Sequence, residues 1–490
     1  MSEGQSQAKP VSIAPGPPLR PTPRSSLINR LGKLKGPIAA IAALGAILSG
    51  FAGYWTTYKT VRETVITQSA PTQSPDRIMS ALPADAGPLS IIVLPFGSLE
   101  TEAAKLTADG LTASITSDLS RIRDAYIVSA TTAQTYRARN LTAQEIGRDL
   151  GIRFVLQGNV QNVASKIRIN VQLTDASAGA QVWSETFDGD TGDLFALQDK
   201  ATTLIGNSMG RELVIRAARD SDQRKGDPTL NDLVLRARGL VLRQESLENY
   251  QAIESLWRQV LAKDSDHVEA KISLATYLAL EVNIFFDYLD AGTRAAKIAE
   301  ASDLIAATLH LDPENPDIAY AEVSLSLLKR DSEASFRAAQ RLLALKPRWP
   351  RSYDMLGRRY LDRLDPARAT DLLLQGLALD PKRPLGFLLA NLTLASIMAD
   401  DLDAAIAWGE KARAANPTSL YSLRWLACAY ALKGQKGKAN DIVAQALAIK
   451  PDYSIAKVRE WVDVVLTDEP YRRWFGDKIV PAMRLAGLPE

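Results

Sequence analysis

Three hydrophobic rhythms follow one another along the chain. The first is unbroken: no residue from Gly36 to Tyr58 carries a charge, and the centre reads Ile38-Ala-Ala-Ile-Ala-Ala-Leu-Gly-Ala-Ile-Leu-Ser-Gly-Phe51. A helix rising about 1.5 Å per residue matches a hydrocarbon layer of about 30 Å over that length, so the pattern predicts a membrane helix at 37–58. Tyr54, Trp55 and Tyr58 stand at its far end, where an interfacial aromatic belt belongs. The second rhythm is mixed. Leu89-Ser-Ile-Ile-Val-Leu-Pro-Phe96 predicts a buried strand that stops at Pro95. Leu106, Leu111, Ile115, Leu119 and Ile122 then recur at helical spacing and predict an amphipathic helix facing that strand. Ala125 to Ser129 predicts a second strand, and Thr142 with Glu145 predicts a capping box opening a helix from Ala143 to Leu150. Phe154, Leu156, Ile167, Ile169, Val171, Leu173, Val182, Trp183 and Phe187 alternate with polar residues, with turns at Ala164-Ser165 and Ser177-Ala-Gly179. That pattern predicts a three-stranded antiparallel meander. A helix from Leu194 to Leu213, with Phe195, Leu197, Ile205 and Met209 on one side, closes a β-α-β-α-β-β-β-α unit over 88–218.

The third rhythm has a long period. Pro313, Pro347, Pro381, Pro417 and Pro451 are separated by 34, 34, 36 and 34 residues, which predicts stacked helix-turn-helix units, because proline ends a helix and cannot continue one. Tyr353, Leu356, Gly357, Tyr360, Ala369, Leu373, Leu377 and Pro381 resemble the tetratricopeptide (TPR) pattern, and Leu426, Ala427, Tyr430, Gly434, Ala439, Ala446 and Leu447 repeat it before Pro451. Gly357 or Ala427 must be small so that Ala369 or Ala439 on the second helix can come close. About six repeats fit into 228–466. The first runs through Leu240, Ala252, Trp257 and Leu261, and the second carries about fourteen extra residues around Phe285 to Ala295. A capping helix from Ile455 to Leu466, with Trp461 against the last repeat, and a final helix from Tyr471 to Ala486 within 467–490 complete the expected fold.

The phrases "IIVLPFGSL", "ADGLTASITSDLSRI", "IGRDLGIRFVLQGNV", "IRINVQLTDASAGAQVWSETFDGD" and "LFALQD" resemble the TolB-like or FlgO-like amino-terminal domain that precedes TPR repeats in rhizobia and related bacteria. That resemblance implies an envelope-associated module with no agreed catalytic activity. "RRWFGDKIVPAMRL" followed by "AGLPE" is similar to the carboxy terminus of class III adenylate/guanylate cyclase proteins with the same TolB-like plus TPR arrangement, without their catalytic part. The fold class expected is therefore an α+β domain with a mixed sheet, then an all-α TPR solenoid, behind one amino-terminal transmembrane helix.

Charge adds orientation. Lys9, Arg20, Arg24, Arg30, Lys33 and Lys35 precede the apolar run against one acid, Glu3, while Lys59, Arg62 and Glu63 follow it. Positive charge stays inside, which puts the amino terminus in the cytoplasm of a bacterial inner-membrane protein and the bulk in the periplasm. The leader of 35 residues favours an uncleaved anchor over a signal peptide. Residues 1–36, rich in Pro and Arg, read as a disordered tail, and 59–87 as a linker. A net charge of +2 gives no field to recruit nucleic acid.

Candidate chemistry is sparse. The one cysteine, Cys428, excludes an internal disulfide and a cysteine zinc site, and His267 and His310 lie too far apart for a shared metal. No GxxxxGK[ST], GxSxG or HExxH occurs. Asp188, Asp190 and Asp193 lack the order of an EF-hand and read as a solvated strand end with an N-cap, and Asp109-Gly110 reads as a turn or helix start. No metal or cofactor is expected. A cyclase domain of roughly 150–180 residues has no place among the 36 residues before the anchor.

The expected function is a non-enzymatic scaffold that binds a protein or peptide in the TPR groove, its oligomeric state left open. The groove positions in the TPR register are Asp317, Tyr320, Arg351, Asp354, Arg358, Phe387, Tyr421 and Arg424, with Cys428 on the same side. The alternative is a regulatory subunit of a cyclase-type signalling system, with the TolB-like domain sensing an envelope ligand.

Overall fold

A computed structural model describes residues 88–490 other than 99–101, 121, 123–124, 138, 140, 164–165 and 191–193. The expected tail, membrane helix and linker lie outside these residues, and among the described residues no helix is long and apolar enough to cross a membrane.

The first part is a small mixed sheet covered on both faces. Its strands are β1 (Ser90–Val93), β2 (Gly97–Ser98), β3 (Tyr126–Ile127), β4 (Phe154–Val163), β5 (Lys166–Asp175) and β6 (Ala180–Asp190), in the order β3-β1-β4-β5-β6 with β2 also on β4. β1 pairs in parallel with β3 and β4, and β4 to β6 form the antiparallel meander. Pro95 interrupts the first strand because it has no N–H to give the ladder, and pairing resumes at Gly97. Alternation then decides the faces. Ile91, Val93, Phe154, Leu156, Ile167, Ile169, Val171 and Leu173 pack under α1 (Glu102–Leu119) and α4 (Leu194–Gln223). Ile92 and Val155, one position out of phase, face α2 (Ala130–Gln134) and α3 (Ala143–Leu150) with Ile146 and Leu150.

Two readings of α1 need correction. Leu106 is 69% exposed, because the inward stripe is set by Ala108, Leu111, Ile115 and Leu119, and Leu106 falls off it. Asp109 and Gly110 lie inside α1, not at a turn, since the helix already begins at Glu102. Gly110 lies where a Cβ would stand 3.0 Å from Gln198 Oε1 on α4, so its smallness serves a helix crossing. The capping box is present: Glu145 N–H donates to Thr142 Oγ1 at 3.2 Å and Thr142 N–H to Glu145 Oε2 at 2.7 Å. α4 runs ten residues past Leu213, to Gln223, because Leu213, Ala217 and Ser221 keep its stripe buried.

A helical solenoid of TPR type follows. Its pairs are α5 (Leu230–Val241) with α6 (Leu247–Lys263), α7 (Val268–Ile284) with α8 (Ala291–Leu309), α9 (Pro316–Leu328) with α10 (Ser332–Leu345), α11 (Pro350–Asp362) with α12 (Pro366–Ala378), α13 (Gly386–Met398) with α14 (Leu402–Ala415), and α15 (Leu420–Leu432) with α16 (Lys436–Ile449). Pro313, Pro347, Pro381 and Pro417 lie in the loops between pairs, and Pro451 in the loop after the last pair. Within the later pairs the turn needs one left-handed residue, supplied by Arg330, Leu364, Asp400 and Gly434 at φ of 63°, 57°, 59° and 80°. Asp331, Asp365 and Asp401 come next and cap the second helix. The extra length of the second pair is spread through α7 and α8, of 17 and 19 residues, with a 3-10 turn Phe286–Tyr288 between them.

The end of the chain departs from expectation. α17 (Ile455–Val465) does not cap the last pair through Trp461. Trp461 Nε1 donates to the Asn283 carbonyl on α7 at 3.1 Å, and Arg330 Nη1 donates to the Asp463 and Val464 carbonyls at 3.2 Å each. Ile455, Val458, Val462 and Val465 form a buried stripe, and burying it turns Trp461, on the next face, toward α7. The last helix is present and runs unbroken through α18 (Glu469–Trp474), a π-helical turn Phe475–Ile479 and α19 (Val480–Leu485). Pro481 offers no N–H and crowds the carbonyl four residues back, and a widened turn relieves that conflict.

Candidate partner-binding site on the first-helix face

First helices pack α7 on α9, α11 on α13 and α13 on α15, and Ala319 and Val323 of α9 share a buried cluster with Leu356 of α11, so α7, α9, α11, α13 and α15 present one shared face. Two cavities open on it. The inner one, of about 130 Å³, is lined by Tyr320, Arg351, Asp354, Arg358, Phe387, Tyr421 and Arg424, with Val458 and Trp461 of α17 on the opposite side. The outer one, of about 520 Å³, holds Asp317 together with Tyr320 and Arg351, and reaches Asn207, Gly210 and Arg211 on α4. All eight positions named from the TPR register thus come to these two connected spaces, seven of them to the inner one.

They meet each other there more than they meet solvent. Arg351 Nη2 donates to Glu245 Oε1 at 2.8 Å, and Arg351 lies 3.4 Å from Asp354. Asn391 Nδ2 donates to Asp354 Oδ1 at 2.8 Å, the Tyr421 hydroxyl donates to Asn391 Oδ1 at 2.6 Å, and Arg358 Nη1 donates to that hydroxyl at 2.6 Å. Arg358 and Arg359 each stand 2.9 Å from Asp362. Burial pushes the Asp354 and Glu245 carboxyls above the usual range, against the pull of Arg351. Burial is the strongest single influence on Arg358 and works against its charge, but Asp362, Tyr421 and Tyr471 together outweigh it and the guanidinium is held more firmly protonated than usual. With side chains only 16% and 10% exposed, Arg351 and Arg358 knit four helices and the α5–α6 loop together. Asp317, by contrast, sits at the rim, paired with Lys346 at 2.6 Å, and Lys346 lies over the Trp349 ring.

Cys428 faces inward and is fully buried, and burial pushes its thiol up to about 12, which makes it unreactive. His267 caps α7 through Nδ1, accepting from Ala270 N–H at 3.2 Å. Asp188 is engaged by Arg168 at 2.7 Å. Among the described residues no group of three or more His, Cys, Asp and Glu side chains is placed to hold a metal ion.

Sequence reasoning missed several lining residues: Glu245 in a polar loop, Asn283 at the end of the long α7, Asp287 in the 3-10 turn after it, and Tyr453 and Trp461 beyond the last repeat. The apolar stripe of α17 was the available signal, because a helix with one greasy face needs a partner surface.

The sheet part docks on the same side of the solenoid. Asn207 Nδ2 donates to the Arg348 and Leu379 carbonyls at 3.1 Å each, Arg211 pairs with Asp380 at 3.3 Å, and Arg348 with Asp118 at 2.5 Å. Lys382 pairs with Glu185.

No known family profile matches the chain. It is 30% identical over 248 residues to a protein of Rhizobium meliloti (strain 1021) provisionally named adenylate cyclase 3, covering 50% of this chain and 41% of that one. The chain therefore spans about two fifths of the length of this curated relative. Among solved structures, a thermophilic TPR protein of Thermus thermophilus is similar at 19% identity and a TM-score of 0.31, over 39% of this chain and 98% of its own. The APC/C heterotetramer Cut9–Hcn1 is similar at 16% identity and a TM-score of 0.39, over 60% of each chain. The helix-pair architecture rests on the geometry described above, independently of these likenesses.

Proposed function

We propose that the chain is a membrane-anchored scaffold of the bacterial inner membrane, cytoplasmic at its amino terminus and periplasmic in bulk, which holds a protein or peptide partner through the first-helix face of its solenoid and performs no catalytic step itself. The observation that carries this reading is the convergence of charged and aromatic side chains from successive first helices on one face, continuing into a cavity of about 520 Å³ rimmed by Asp317, Lys346 and Trp349. Repeat surfaces of this kind suit an extended or helical segment. Val458 and Trp461 of α17 wall part of the inner space, and in this reading the partner enters from the outer rim. The TolB-like character of the sheet part and the membrane helix at 37–58 belong to the same proposal.

A second reading is favoured by the cyclase name of the Rhizobium relative: a regulatory part of a nucleotide-cyclase signalling system, in which the sheet part senses an envelope ligand. The α4 contacts at Arg348, Leu379 and Asp380 are a mechanical route from sheet to solenoid. Alkaline phosphatase fused after Glu490 tests the topology: activity in cells is expected, and an inactive fusion with a cytosolic reporter lit at the same place overturns it. Purified chain incubated with ATP and GTP is expected to leave both unchanged, and cyclic nucleotide formation contradicts the scaffold reading.

A further inference from the structure

The inner cavity holds polar atoms that the fold leaves unsatisfied. Asp287 Oδ1, Asn283 Oδ1 and Arg424 Nε are shielded from solvent yet have no hydrogen-bond partner. All three residues line the same space of about 130 Å³. Native structures contain few such atoms, and each costs about 1–3 kcal/mol when nothing meets it. With Arg359 Nε and the Tyr453 hydroxyl, which also lack a partner and line this space, five such atoms around one cavity point to a polar occupant.

The surroundings say what kind. Arg424 is held by ring faces, with its guanidinium 5.3 Å from the Tyr421 centroid and 4.9 Å from that of Trp425. Among the described residues neither Arg424 nor Asp287 forms an ion pair, although both line this cavity. The other guanidiniums here are committed: Arg351 to Glu245 and Asp354, Arg358 and Arg359 to Asp362. Among the described residues of this cavity, a cation and an anion without ion-pair partners therefore remain, with Phe286, Phe387, Tyr421 and Trp461 supplying apolar surface. A cavity of about 150 Å³ holds a benzene-sized molecule, so this one, slightly smaller, takes a ligand of about six non-hydrogen atoms.

We propose that the inner cavity binds a free α-amino acid, its carboxylate on Arg424, its ammonium on Asp287 and Asn283, and its side chain among the rings. Arg424, Asp287 and Asn283 each gain a charge-assisted partner, which neither a neutral ligand nor a plain anion provides. The site goes beyond partner binding and stands or falls separately, because the rim at Lys346 lies outside it.

The test uses the purified full chain in detergent, the twenty common L-amino acids at millimolar concentration, thermal unfolding, and fluorescence of Trp461 against the Trp461→Phe background. At least one amino acid is expected to raise the melting temperature and change the emission. Its N-acetyl amide, its decarboxylated amine and its deaminated acid are each expected to bind at least tenfold more weakly. Arg424→Gln and Asp287→Asn are expected to lose at least tenfold in affinity while still folding, as shown by an unchanged circular dichroism spectrum and a cooperative melt. Should no amino acid bind, should the uncharged analogue bind within threefold, or should both folded variants bind like the parent chain, the proposal is overturned.

Discussion

Asp287 illustrates how a single side chain reports on its surroundings. Burial pushes its carboxyl above the usual range, with Arg424 pulling the other way. A carboxyl whose value rises on folding favours the folded state below its ordinary value near pH 4, and that contribution disappears as pH climbs through the raised value. At pH 7, without ligand, the ionised group therefore destabilises the fold. Asp287→Asn is expected to gain on the order of 1 kcal/mol at pH 7, discounted because the residue is partly exposed, and to gain less near pH 4. A loss of stability at pH 7 in urea melts would show that the carboxylate has a partner. Gly434 is a second test at this scale. Its φ of 80° lies in the left-handed region, and an added Cβ would meet nothing within 4 Å, so Gly434→Ala probes backbone strain alone. A cost of about 1 kcal/mol is expected, and an unchanged melting temperature would contradict the turn geometry.

At the scale of elements, the helix pairs were legible because steric demands repeat. Proline ends each unit, and a small residue sits where helices approach. Gly357 shows the demand directly: a Cβ there would stand 2.9 Å from Leu373 Cγ and 3.0 Å from Cδ2. Gly357→Val is expected to cost about 1–3 kcal/mol, measured as a lower denaturation midpoint with an unchanged slope. A midpoint equal to that of the parent chain would mean that α11 and α12 sit farther apart. The meander was legible from its period of two, whereas the first strand was legible only as a buried run, and that Ile91 and Ile92 face opposite covers is a finding of the structure. Leu106 was misplaced because one aliphatic just ahead of a stripe satisfies the spacing without sharing the face. The path of α17 was hidden for another reason: its stripe announces burial, but periodicity does not name the surface that buries it. The groove register placed its eight residues from repeat position alone, whereas the ion pairs that consume Arg351 and Arg358 depend on Glu245 and Asp362 arriving from elsewhere. Charge reversal at those two arginines would set carboxylates beside buried Asp354 and Asp362 and damage the fold itself. They are thus poor probes of partner binding.

Across the described part of the molecule, the sheet and the solenoid meet through α4, with further ion pairs from Asp118 and Glu185, and Asp380 is the buried carboxylate in that contact. It is buried, burial raises its carboxyl against the pull of Arg211, and Arg211 is its ion-pair partner at 3.3 Å. Removing the cation strands the carboxylate, so Arg211→Ala is expected to cost about 3 kcal/mol and to speed proteolysis near Gly226, between α4 and α5. Unaltered protease resistance would show that the two parts are held by other contacts. The central claim, that a partner is held on the first-helix face, is tested most directly by photo-crosslinking in living cells. A benzophenone amino acid replaces Lys346 at the rim in one strain, and exposed Arg337 on the second-helix face in another. A discrete protein adduct from position 346 and none from 337 is the predicted result, whereas adducts from 337 alone, or the same adducts from both, would contradict it.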